Sequence, residues 1–227
     1  MTILLLGRGK TGSLVAEVAR ERQHRVRVLG AEHNQSGKGL GSETLADVDV
    51  VVDFTTPHAV MHNIEACIRN RANMVVGTTG WYGEIPKIKK LVEESGIGFV
   101  YAANFSIGVN LFFDLVRAAA PALRYGYTGN IVEKHHVHKK DAPSGTAAVM
   151  RNIIRDAEQT ELPIESLREG EVVGMHRLTL DSAADSITLV HDAKSRRGFA
   201  EGAIRAAEWL KGKRGFYDFK DIFRDLR

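Results

Sequence analysis

Five short apolar runs alternate with longer amphipathic stretches along the first half of the chain. The runs are rich in Val, Ile and Leu at successive positions, which is typical of strands buried on both faces of a parallel sheet. The predicted strands span residues 3–6, 26–29, 48–54, 74–77 and 98–102. The predicted helices between them span residues 13–22, 59–70 and 86–94. This alternation predicts βαβ units and an α/β domain with a doubly wound parallel sheet.

The second half of the chain has a different pattern. Two alternating apolar–polar segments, 175–181 and 186–192, are separated by a four-residue turn and predict an antiparallel hairpin. A further strand is predicted over 130–138, and helices are predicted over 109–120, 147–158, 198–210 and 217–226. We therefore expect a dinucleotide-type domain over 1–104 and a smaller α+β substrate domain over 105–199. The sequence leaves open whether the C-terminal helices, about 200–227, pack on the first domain.

Composition narrows the class of protein. The chain has 227 residues, of which 44% are hydrophobic and 26% charged, and this excludes a fibre, a disordered chain and a disulfide scaffold. No apolar run approaches the length of a membrane span, and the N-terminal run is too short for a signal sequence. The single cysteine, Cys67, favours a cytoplasmic protein. A net charge of +3 does not require nucleic acid, and it suits small anionic ligands.

A glycine-rich turn follows the first predicted strand and precedes the first predicted helix. The turn has the spacing Gly-x-Gly-x-x-Gly, which permits a tight turn and close approach of the backbone to a pyrophosphate. Its residues are Gly7, Arg8, Gly9, Lys10, Thr11 and Gly12. A phosphate-binding P-loop is excluded because that motif would need a glycine at position 4, which is Leu4. The context predicts a Rossmann-like nucleotide site, and a glycine turn without a ligand is the alternative.

An acidic residue lies at the spacing expected for contact with the adenosine ribose. Glu32 comes 20 residues after Gly12, where a carboxylate accepts hydrogen bonds from ribose hydroxyls and favours NADH. Arg8 and Lys38 are the nearby cations that could meet the 2′-phosphate of NADPH. We therefore expect both cofactors to be used, with NADH at least equal. A solvated Glu32 without a ligand contact is the alternative.

Other strand ends should line the same crevice. Open α/β sheets bind ligands at the carboxyl ends of their strands. The residues predicted to contact the cofactor there are Gly77, Thr78 and Thr79 after one strand, and Ala102, Ala103, Asn104 and Phe105 after another. Residues 53–57 occupy the equivalent place on the third strand. Turn chemistry alone would explain any one of these segments, but three together favour a cofactor crevice.

A cluster of histidines and lysines is the most informative stretch of the second half. Three of the nine histidines, His135, His136 and His138, fall within residues 134–140 together with three lysines. If the strand persists, His136 and His138 share one face and His135 lies on the other with Lys139. Histidine titrates near neutral pH and suits proton transfer. A solvated basic face and a zinc site are the alternatives, but no recognised zinc spacing is present and we predict no metal.

A predicted helix start follows this cluster. Ser144 can cap the helix, and the N–H groups of Gly145 and Thr146 can hold a carboxylate. Capping alone is the alternative role. Basic residues Arg196 and Arg197 precede the last long helix. These features imply a compact substrate with more than one carboxylate.

The sequence resembles the 4-hydroxy-tetrahydrodipicolinate reductase (dihydrodipicolinate reductase) family. The matching segments are Glu133-x-His135-His136-x-His138-Lys139-x-Asp141-Ala142-Pro143-Ser144-Gly145-Thr146-Ala147, Gly77-Thr78-Thr79-Gly80, residues 104–110 and residues 199–209. The resemblance covers essentially the whole chain. It implies His135 as the acid/base residue, Lys139 as the proton donor, and His136, Gly145, Thr146 and Arg196 as substrate-binding residues. It also implies a homotetramer formed through the second domain. We also expect Ser144, at the same helix start, to bind substrate.

Two departures from the family pattern are visible. The glycine turn is one residue shorter than the usual Gly-x-x-Gly-x-x-Gly, and the stretch 32–47 is short. The leading hypothesis is an NAD(P)H-dependent reductase of a cyclic imine dicarboxylate in lysine and diaminopimelate biosynthesis. Another NAD(P)-dependent reductase of a small dicarboxylate, a dinucleotide-binding sensor and a metal hydrolase are the alternatives. A sensor would not need the histidine–lysine cluster, and a hydrolase would need further metal ligands.

Overall fold

The computed structural model describes residues 1–226 as two compact units. The strands are β1 (Thr2–Leu6), β2 (Arg25–Leu29), β3 (Val50–Asp53), β4 (Met74–Val76), β5 (Gly98–Tyr101), β6 (Thr128–His135), β7 (Ile164–Arg168), β8 (Gly174–Asp181), β9 (Ser186–Ala193) and β10 (Gly215–Asp218). The helices are α1 (Lys10–Glu21), α2 (Ser42–Leu45), α3 (Pro57–Arg69), α4 (Ile85–Ser95), α5 (Ile107–Ala119), α6 (Gly145–Glu158), α7 (Arg197–Leu210) and α8 (Phe219–Ile222). Among these residues, no helix is long and apolar enough to cross a membrane.

The first unit contains residues 1–107 and the chain from Arg197 onward. Its six strands form one parallel sheet in the order β10-β5-β4-β3-β1-β2. Alternate residues of the central strands enter two cores: Ile3 and Leu5 pack with α1 and α7, whereas Leu4 and Leu6 pack with α3 and α4. Burial on both faces explains the continuous apolar runs and confirms the predicted doubly wound α/β fold.

The second unit, Gly108–Arg196, carries a four-stranded mixed sheet in the order β7-β6-β8-β9. β6 pairs parallel with β7 and antiparallel with β8, and β8 and β9 form the predicted hairpin. One face is covered by α5 and α6 through an apolar core that includes Phe112, Met150, Ile131 and Leu178. This confirms the predicted smaller α+β domain. Residues 105–107 and 197–199, which the sequence places in the second domain, lie in the first unit.

Two sequence expectations about elements are wrong, and one strand is not predicted at all. The helix predicted over 217–226 is replaced by β10, the four-residue α8 and a 3₁₀ turn (Phe223–Asp225). β10 pairs with β5, and Phe216 stacks on Phe99 with ring centroids 5.2 Å apart, so long-range packing outweighs local helical pattern. The edge strand β7 is not predicted, because its sequence Ile-Glu-Ser-Leu-Arg does not alternate apolar with polar residues. The strand predicted over 130–138 ends at His135, since a turn begins there.

Candidate active site

A cleft of about 300 Å³ opens at the carboxyl ends of β1, β3 and β4 in the first unit. In this sheet β2 and β3 lie on opposite sides of β1, so the chain reverses its winding direction between β1 and β3. Open α/β sheets bind ligands at such a reversal. The lining consists of Gly9, Lys10, Thr11, Gly12, Phe54, Thr55, Pro57, Gly77, Thr78 and Thr79. The glycine turn and the segment after β4 therefore meet at one cleft, as the sequence predicts.

The three glycines of the turn differ in the physical reason for which a side chain is absent. Gly7 has φ +98°, and a Cβ there would lie 2.2 Å from the carbonyl oxygen of Phe54. A Cβ on Gly12 would lie 2.5 Å from the carbonyl oxygen of Gly7. Gly9 is exposed, and a Cβ on it would meet nothing within 4 Å. Packing thus explains Gly7 and Gly12 but not Gly9, whose open surface fits a group that approaches the backbone from outside.

The start of α1 supplies donors for such a group. Gly9 is the N-cap and makes no side-chain capping bond, and the first intrahelical bond runs from the N–H of Ser13 to the oxygen of Gly9. The N–H groups of Lys10 and Thr11 precede that bond and point out of the helix end. A helix N-terminus of this kind suits a pyrophosphate. The residues of the turn therefore fit a dinucleotide.

A buried carboxylate holds two loops of the cleft together. Asp53 is fully buried, and its Oδ1 accepts hydrogen bonds from the N–H of Thr55 (2.9 Å), the hydroxyl of Thr55 (2.7 Å) and the hydroxyl of Thr78 (2.6 Å). Its Oδ2 accepts from the amide of Asn63 at 2.8 Å. Asn63 in turn accepts from the amide of Asn34 at 2.9 Å. This network ties the loop after β3 to the loop after β4 and to the segment after β2.

Glu32 lies directly after β2 and pairs with the glycine turn. Its carboxylate is 2.9 Å from the Arg8 guanidinium and 3.3 Å from Nδ1 of His33, and both Glu32 and Arg8 are more than half exposed. A hydrogen bond from its own backbone N–H, followed by the charges of Arg8 and His33, holds the pKa of Glu32 below its usual value. A carboxylate after β2 and a cation of the glycine turn are therefore paired with each other, and both remain accessible to solvent.

In the segment after β5, residues 102–105, some side chains are buried in the core and others lie at the surface. Phe105 is buried, with ring centroids 6.1 Å from Phe54 and 4.8 Å from Phe219. Asn104 accepts a hydrogen bond from the N–H of Ser106 at 2.9 Å, and Ala103 is exposed. The side chain of Phe105 therefore packs in the core, and at this position only the backbone could contact a ligand.

In the second unit, strand register gathers polar side chains on one face of the sheet. Glu133 and His135 are two residues apart on β6, so they lie on the same face. Register places Glu133 opposite His176 of β8, and His135 beside Arg168 of β7. The same face carries the apolar core farther along the strands. The result is a buried polar cluster at one end of a hydrophobic sheet face.

A carboxylate–histidine pair forms the centre of this cluster. Oε2 of Glu133 makes a short hydrogen bond with Nδ1 of His135, and the guanidinium of Arg168 lies 3.0 Å from Oε1. Burial acts to raise the pKa of Glu133, but hydrogen bonds from Ser166, Arg168 and His135 outweigh it and lower the pKa. Burial lowers the pKa of His135, which the Glu133 carboxylate partly offsets. The pair provides an imidazole whose Nδ1 is held by a carboxylate and whose pKa lies below its usual value.

His176 extends the cluster towards α6. It is 4% exposed, its ring lies edge-on to His135 at 5.1 Å between centroids, and its Nε2 is 3.0 Å from Oγ of Ser144. Burial, with the neighbouring His135, lowers the pKa of His176 to about 4. His176 is therefore neutral at physiological pH.

We expect His176 to make the protein less stable in acid. Its folded-state pKa lies below the unfolded value near 6.5, so the unfolded state binds more protons between pH 6.5 and 4. Stability should fall as pH falls through that window, by roughly 3 kcal/mol from this group. Urea unfolding of the wild type and of His176→Gln at several pH values measures the difference. Parallel pH profiles for the two proteins would contradict the expectation.

The start of α6 has the predicted cap. Oγ of Ser144 accepts a hydrogen bond from the N–H of Ala147 at 3.2 Å, and Ser144 is 2% exposed. The first intrahelical bond runs from the N–H of Ala148 to the oxygen of Ser144. The N–H groups of Gly145 and Thr146 precede it, and Gly145 is exposed. This helix end suits a carboxylate.

The basic loop between β6 and α6 supplies further side chains. Nη2 of Arg196 lies 3.4 Å from Nε2 of His136, and Nζ of Lys139 donates to Asp141 at 2.8 Å. That hydrogen bond from Lys139 holds the pKa of Asp141 below its usual value. The loop begins with a bond from the N–H of Lys139 to the oxygen of His136, so the alternation of faces expected for His136 and His138 does not apply.

One group among residues 1–226 has the spacing of possible metal ligands. It consists of Glu133, His135 and His176, whose ligand atoms lie within 4.8 Å of one another, and it includes neither His136 nor His138. The hydrogen bond between Glu133 and His135 closes the gap that an ion would fill. The Arg168 cation also already neutralises the carboxylate. The donor set thus favours a hydrogen-bonded pair over a metal centre.

Sequence reasoning left several of these residues without a role. Glu133 is part of the quoted motif, and its two-residue spacing from His135 on a strand was an available signal. His176 and Arg168 carry no such signal, because only the pairing of β6 with β8 and β7 brings them to His135. Asp53 and Asn63 likewise meet only through the packing of α3 against the sheet.

A glycine-lined cleft in one domain and a carboxylate–histidine cluster in a second are together typical of two-domain, dinucleotide-binding oxidoreductases. A solved structure titled as a dipicolinate-bound dihydrodipicolinate reductase from Paenisporosarcina sp. TG-14 matches with a TM-score of 0.80 and 24% identity, over 98% of this chain and 99% of that chain. A probable dehydrogenase from Thermotoga maritima matches with a TM-score of 0.62 and 10% identity, over 97% and 92%. These likenesses show the fold.

Sequence relatives identify the family. Residues 1–105 match the family model for the dihydrodipicolinate reductase N-terminus, and residues 108–223 match that for its C-terminus. A 4-hydroxy-tetrahydrodipicolinate reductase from Christiangramia forsetii is 37% identical over 100% of this chain and 99% of that protein. One from Neisseria meningitidis is 34% identical over 94% and 93%. The chain belongs to the dihydrodipicolinate reductase family.

Proposed function

We propose that this protein reduces 4-hydroxy-tetrahydrodipicolinate to tetrahydrodipicolinate with a nicotinamide cofactor, in lysine and diaminopimelate biosynthesis. Family membership over the whole chain supports the reaction. The observation that carries it is the buried Glu133–His135 pair on the same sheet face as His176, which contacts the start of α6 through Ser144. An acid–base group and a carboxylate site are thereby built from one strand face and one helix end.

His135 acts in this proposal as the acid/base residue. Glu133 accepts a hydrogen bond from Nδ1–H of His135, which leaves Nε2 to exchange a proton with the substrate, and Arg168 helps to keep Glu133 ionised. The 4-hydroxyl of the substrate leaves as water, which forms a double bond conjugated with the imine. Lys139 is the proton donor that completes reduction of this double bond after the hydride has been transferred. Its hydrogen bond with Asp141 holds the ammonium in place.

The substrate carboxylates are bound by cations and by a helix end. The N–H groups of Gly145 and Thr146, with the Ser144 hydroxyl, receive one carboxylate. The Arg196 guanidinium, which lies near His136, binds the second carboxylate. A dicarboxylate then spans two sites, which restricts the orientation of its ring.

The dinucleotide is held by the first unit. The residues that would hold its pyrophosphate are Gly7, Arg8, Gly9, Lys10, Thr11 and Gly12. Glu32 would accept hydrogen bonds from its adenosine ribose, and Gly77, Thr78, Thr79 and the backbone of 102–105 would contact its nicotinamide half. The reduced nicotinamide supplies the hydride, and the protein supplies orientation and charge. The Asp53 network fixes Thr55 and Thr78 in the lining of this crevice.

Steady-state kinetics test the proposal. The purified protein is mixed with the imine and NADH or NADPH, and loss of nicotinamide absorbance is followed. We expect substrate-dependent oxidation of at least one cofactor. No oxidation with either cofactor, in a protein shown to be folded, would refute the proposal.

We expect the protein to use both NADH and NADPH as cofactors, with a kcat/KM for NADH at least equal to that for NADPH. Glu32 can accept from the ribose hydroxyls of NADH, and Arg8 can meet the 2′-phosphate of NADPH once it leaves Glu32. Glu32→Ala should lower kcat/KM for NADH about tenfold, as expected for one charge-assisted hydrogen bond, and leave that for NADPH equal or higher. The exposed acid Glu43 provides the control, Glu43→Ala. A tenfold preference of the wild type for NADPH, or no change in Glu32→Ala, would contradict this role.

A cytoplasmic homotetramer is part of the same proposal. The sheet face of the second unit opposite α5 and α6 carries Leu167 and Val190, which are 36% and 54% exposed. Apolar side chains on an open sheet face favour association with a second copy. Light scattering after gel filtration should give four times the 25.0 kDa chain mass. A monomer at micromolar concentration would contradict it.

A further inference from the structure

We propose that His176 is a positioning residue that turns the Ser144 hydroxyl towards a substrate carboxylate. The inference rests on the proposed function, because that function supplies the carboxylate. His176 and Ser144 are 32 residues apart in the chain, and strand β8 and the start of α6 bring them together. Neither the family motif nor the local sequence pattern assigns a role to His176.

The contact between the two side chains is buried and close. His176 and Ser144 are 4% and 2% exposed, and Nε2 lies 3.0 Å from Oγ. The same Oγ accepts the N–H of Ala147 at 3.2 Å. Ser144 therefore has two fixed neighbours, and the direction of its own O–H depends on which atom of His176 carries the proton.

The two neutral tautomers of His176 have different consequences. Nδ1 of His176 is buried and has no hydrogen-bond partner among residues 1–226. If Nδ1 carried the proton, a buried N–H would be left without an acceptor, and orphaned buried N–H groups are rarer than unsatisfied acceptors. The favoured tautomer has its proton on Nε2. Nε2–H then donates to Oγ of Ser144.

The favoured tautomer leaves the serine proton free. Oγ of Ser144 accepts from Nε2–H and from the N–H of Ala147, so its O–H must point elsewhere. That hydroxyl joins the N–H groups of Gly145 and Thr146 as a third donor at the end of α6. Hydrogen bonds to a charged acceptor are stronger than neutral ones. With the other tautomer the hydroxyl would donate to His176 and be lost to the substrate.

Action through Ser144 is distinguishable from action through His135. The rings of His176 and His135 are in edge-on contact, so His176 could instead hold the acid–base pair. A role through Ser144 changes KM for the imine, since binding of a carboxylate is weakened. A role through His135 changes kcat, since proton transfer is weakened.

The test uses three substitutions of His176 that differ in where they place a donor. Glutamine carries its amide nitrogen where Nε2 lies, asparagine where Nδ1 lies, and leucine has no donor. His176→Leu and His176→Asn should raise KM for the imine about 10- to 100-fold, the effect of one hydrogen bond to a charged group, with kcat changed less than about threefold. His176→Gln should stay within about threefold of the wild type in both.

A double-mutant cycle with Ser144→Ala completes the experiment. If His176 acts through Ser144, then Ser144→Ala raises KM by itself, and adding His176→Leu produces no further rise. Binding of pyridine-2,6-dicarboxylate, a stable planar dicarboxylate, is measured by calorimetry on the same variants. Thermal unfolding of each variant shows that the protein remains folded.

Each outcome bears on one proposal. A fall in kcat at unchanged KM would transfer the role of His176 to His135 and overturn the inference. Additive effects in the cycle, or equal effects of Gln, Asn and Leu, would also overturn it. If the wild type does not turn over the imine, the proposed function fails, while the dicarboxylate affinities still decide whether His176 acts through Ser144.

Discussion

His135→Gln should fold normally and lose kcat by roughly 10²- to 10⁴-fold, the usual contribution of a general acid or base. His135 is buried and hydrogen-bonded to Glu133, and burial holds its pKa below the usual value. The ring can therefore accept a proton and give it back. Lys139→Ala should produce a loss of the same order, because it removes the ammonium that Asp141 holds. Single-turnover measurement with saturating cofactor separates this loss from substrate binding.

Matched substitutions in the same loop serve as controls. The side chain of His138 is 78% exposed, lies 3.9 Å from Glu171 and has its ring centroid 6.3 Å from that of His136, and Lys140 is exposed. His138→Gln and Lys140→Ala should therefore keep kcat close to that of the wild type. Turnover near the wild-type level in both His135→Gln and Lys139→Ala would remove these residues from the chemistry.

Gly145→Val should raise KM for the imine strongly and leave cofactor affinity close to normal. A Cβ at Gly145 meets nothing within 4 Å and its φ is not positive, so the fold tolerates a side chain there. The branched side chain then crowds only the space that a carboxylate would occupy at the end of α6. We expect a rise of about 100-fold, comparable to the loss of one or two charge-assisted hydrogen bonds.

Two measurements make this second expectation decisive. Gly41, the N-cap of α2, has open surroundings like those of Gly145, and Gly41→Val controls for the introduction of valine itself. Titration of NADH into Gly145→Val measures cofactor affinity directly. A large fall in NADH affinity, with KM for the imine unchanged, would place the helix end in the cofactor site instead.

The local sequence pattern was sufficient to predict those elements whose structure depends on residues close together in the chain. The strands of the first half are buried on both faces, so their apolar runs are visible without knowledge of their partners. The helix predicted over 86–94 is α4, which has Pro86 in its first turn and ends at Gly96 in the left-handed region at φ +70°. The glycine turn and the Ser144 cap are also local, since each depends on residues within a few positions.

Features that depend on distant pairing could not be predicted in this way. β10 has four residues, and its place at the sheet edge depends on β5, more than a hundred residues earlier. The residues that surround His135 come from three strands, so Arg168 and His176 become relevant only when the register is known. The pairing of Glu32 with Arg8 also needs three-dimensional proximity, although both were expected in the same site.

The order of the chain through the two units has a consequence for synthesis on the ribosome. The second unit is one continuous segment inserted between β5 and the elements that complete the first unit. It can fold as soon as residue 196 has emerged. The nucleotide-binding unit lacks the core helix α7 and the edge strand β10 until residues 197–218 have also been synthesised. We therefore expect the inserted unit to fold first, and the earlier half to wait with β5 unpaired at one edge.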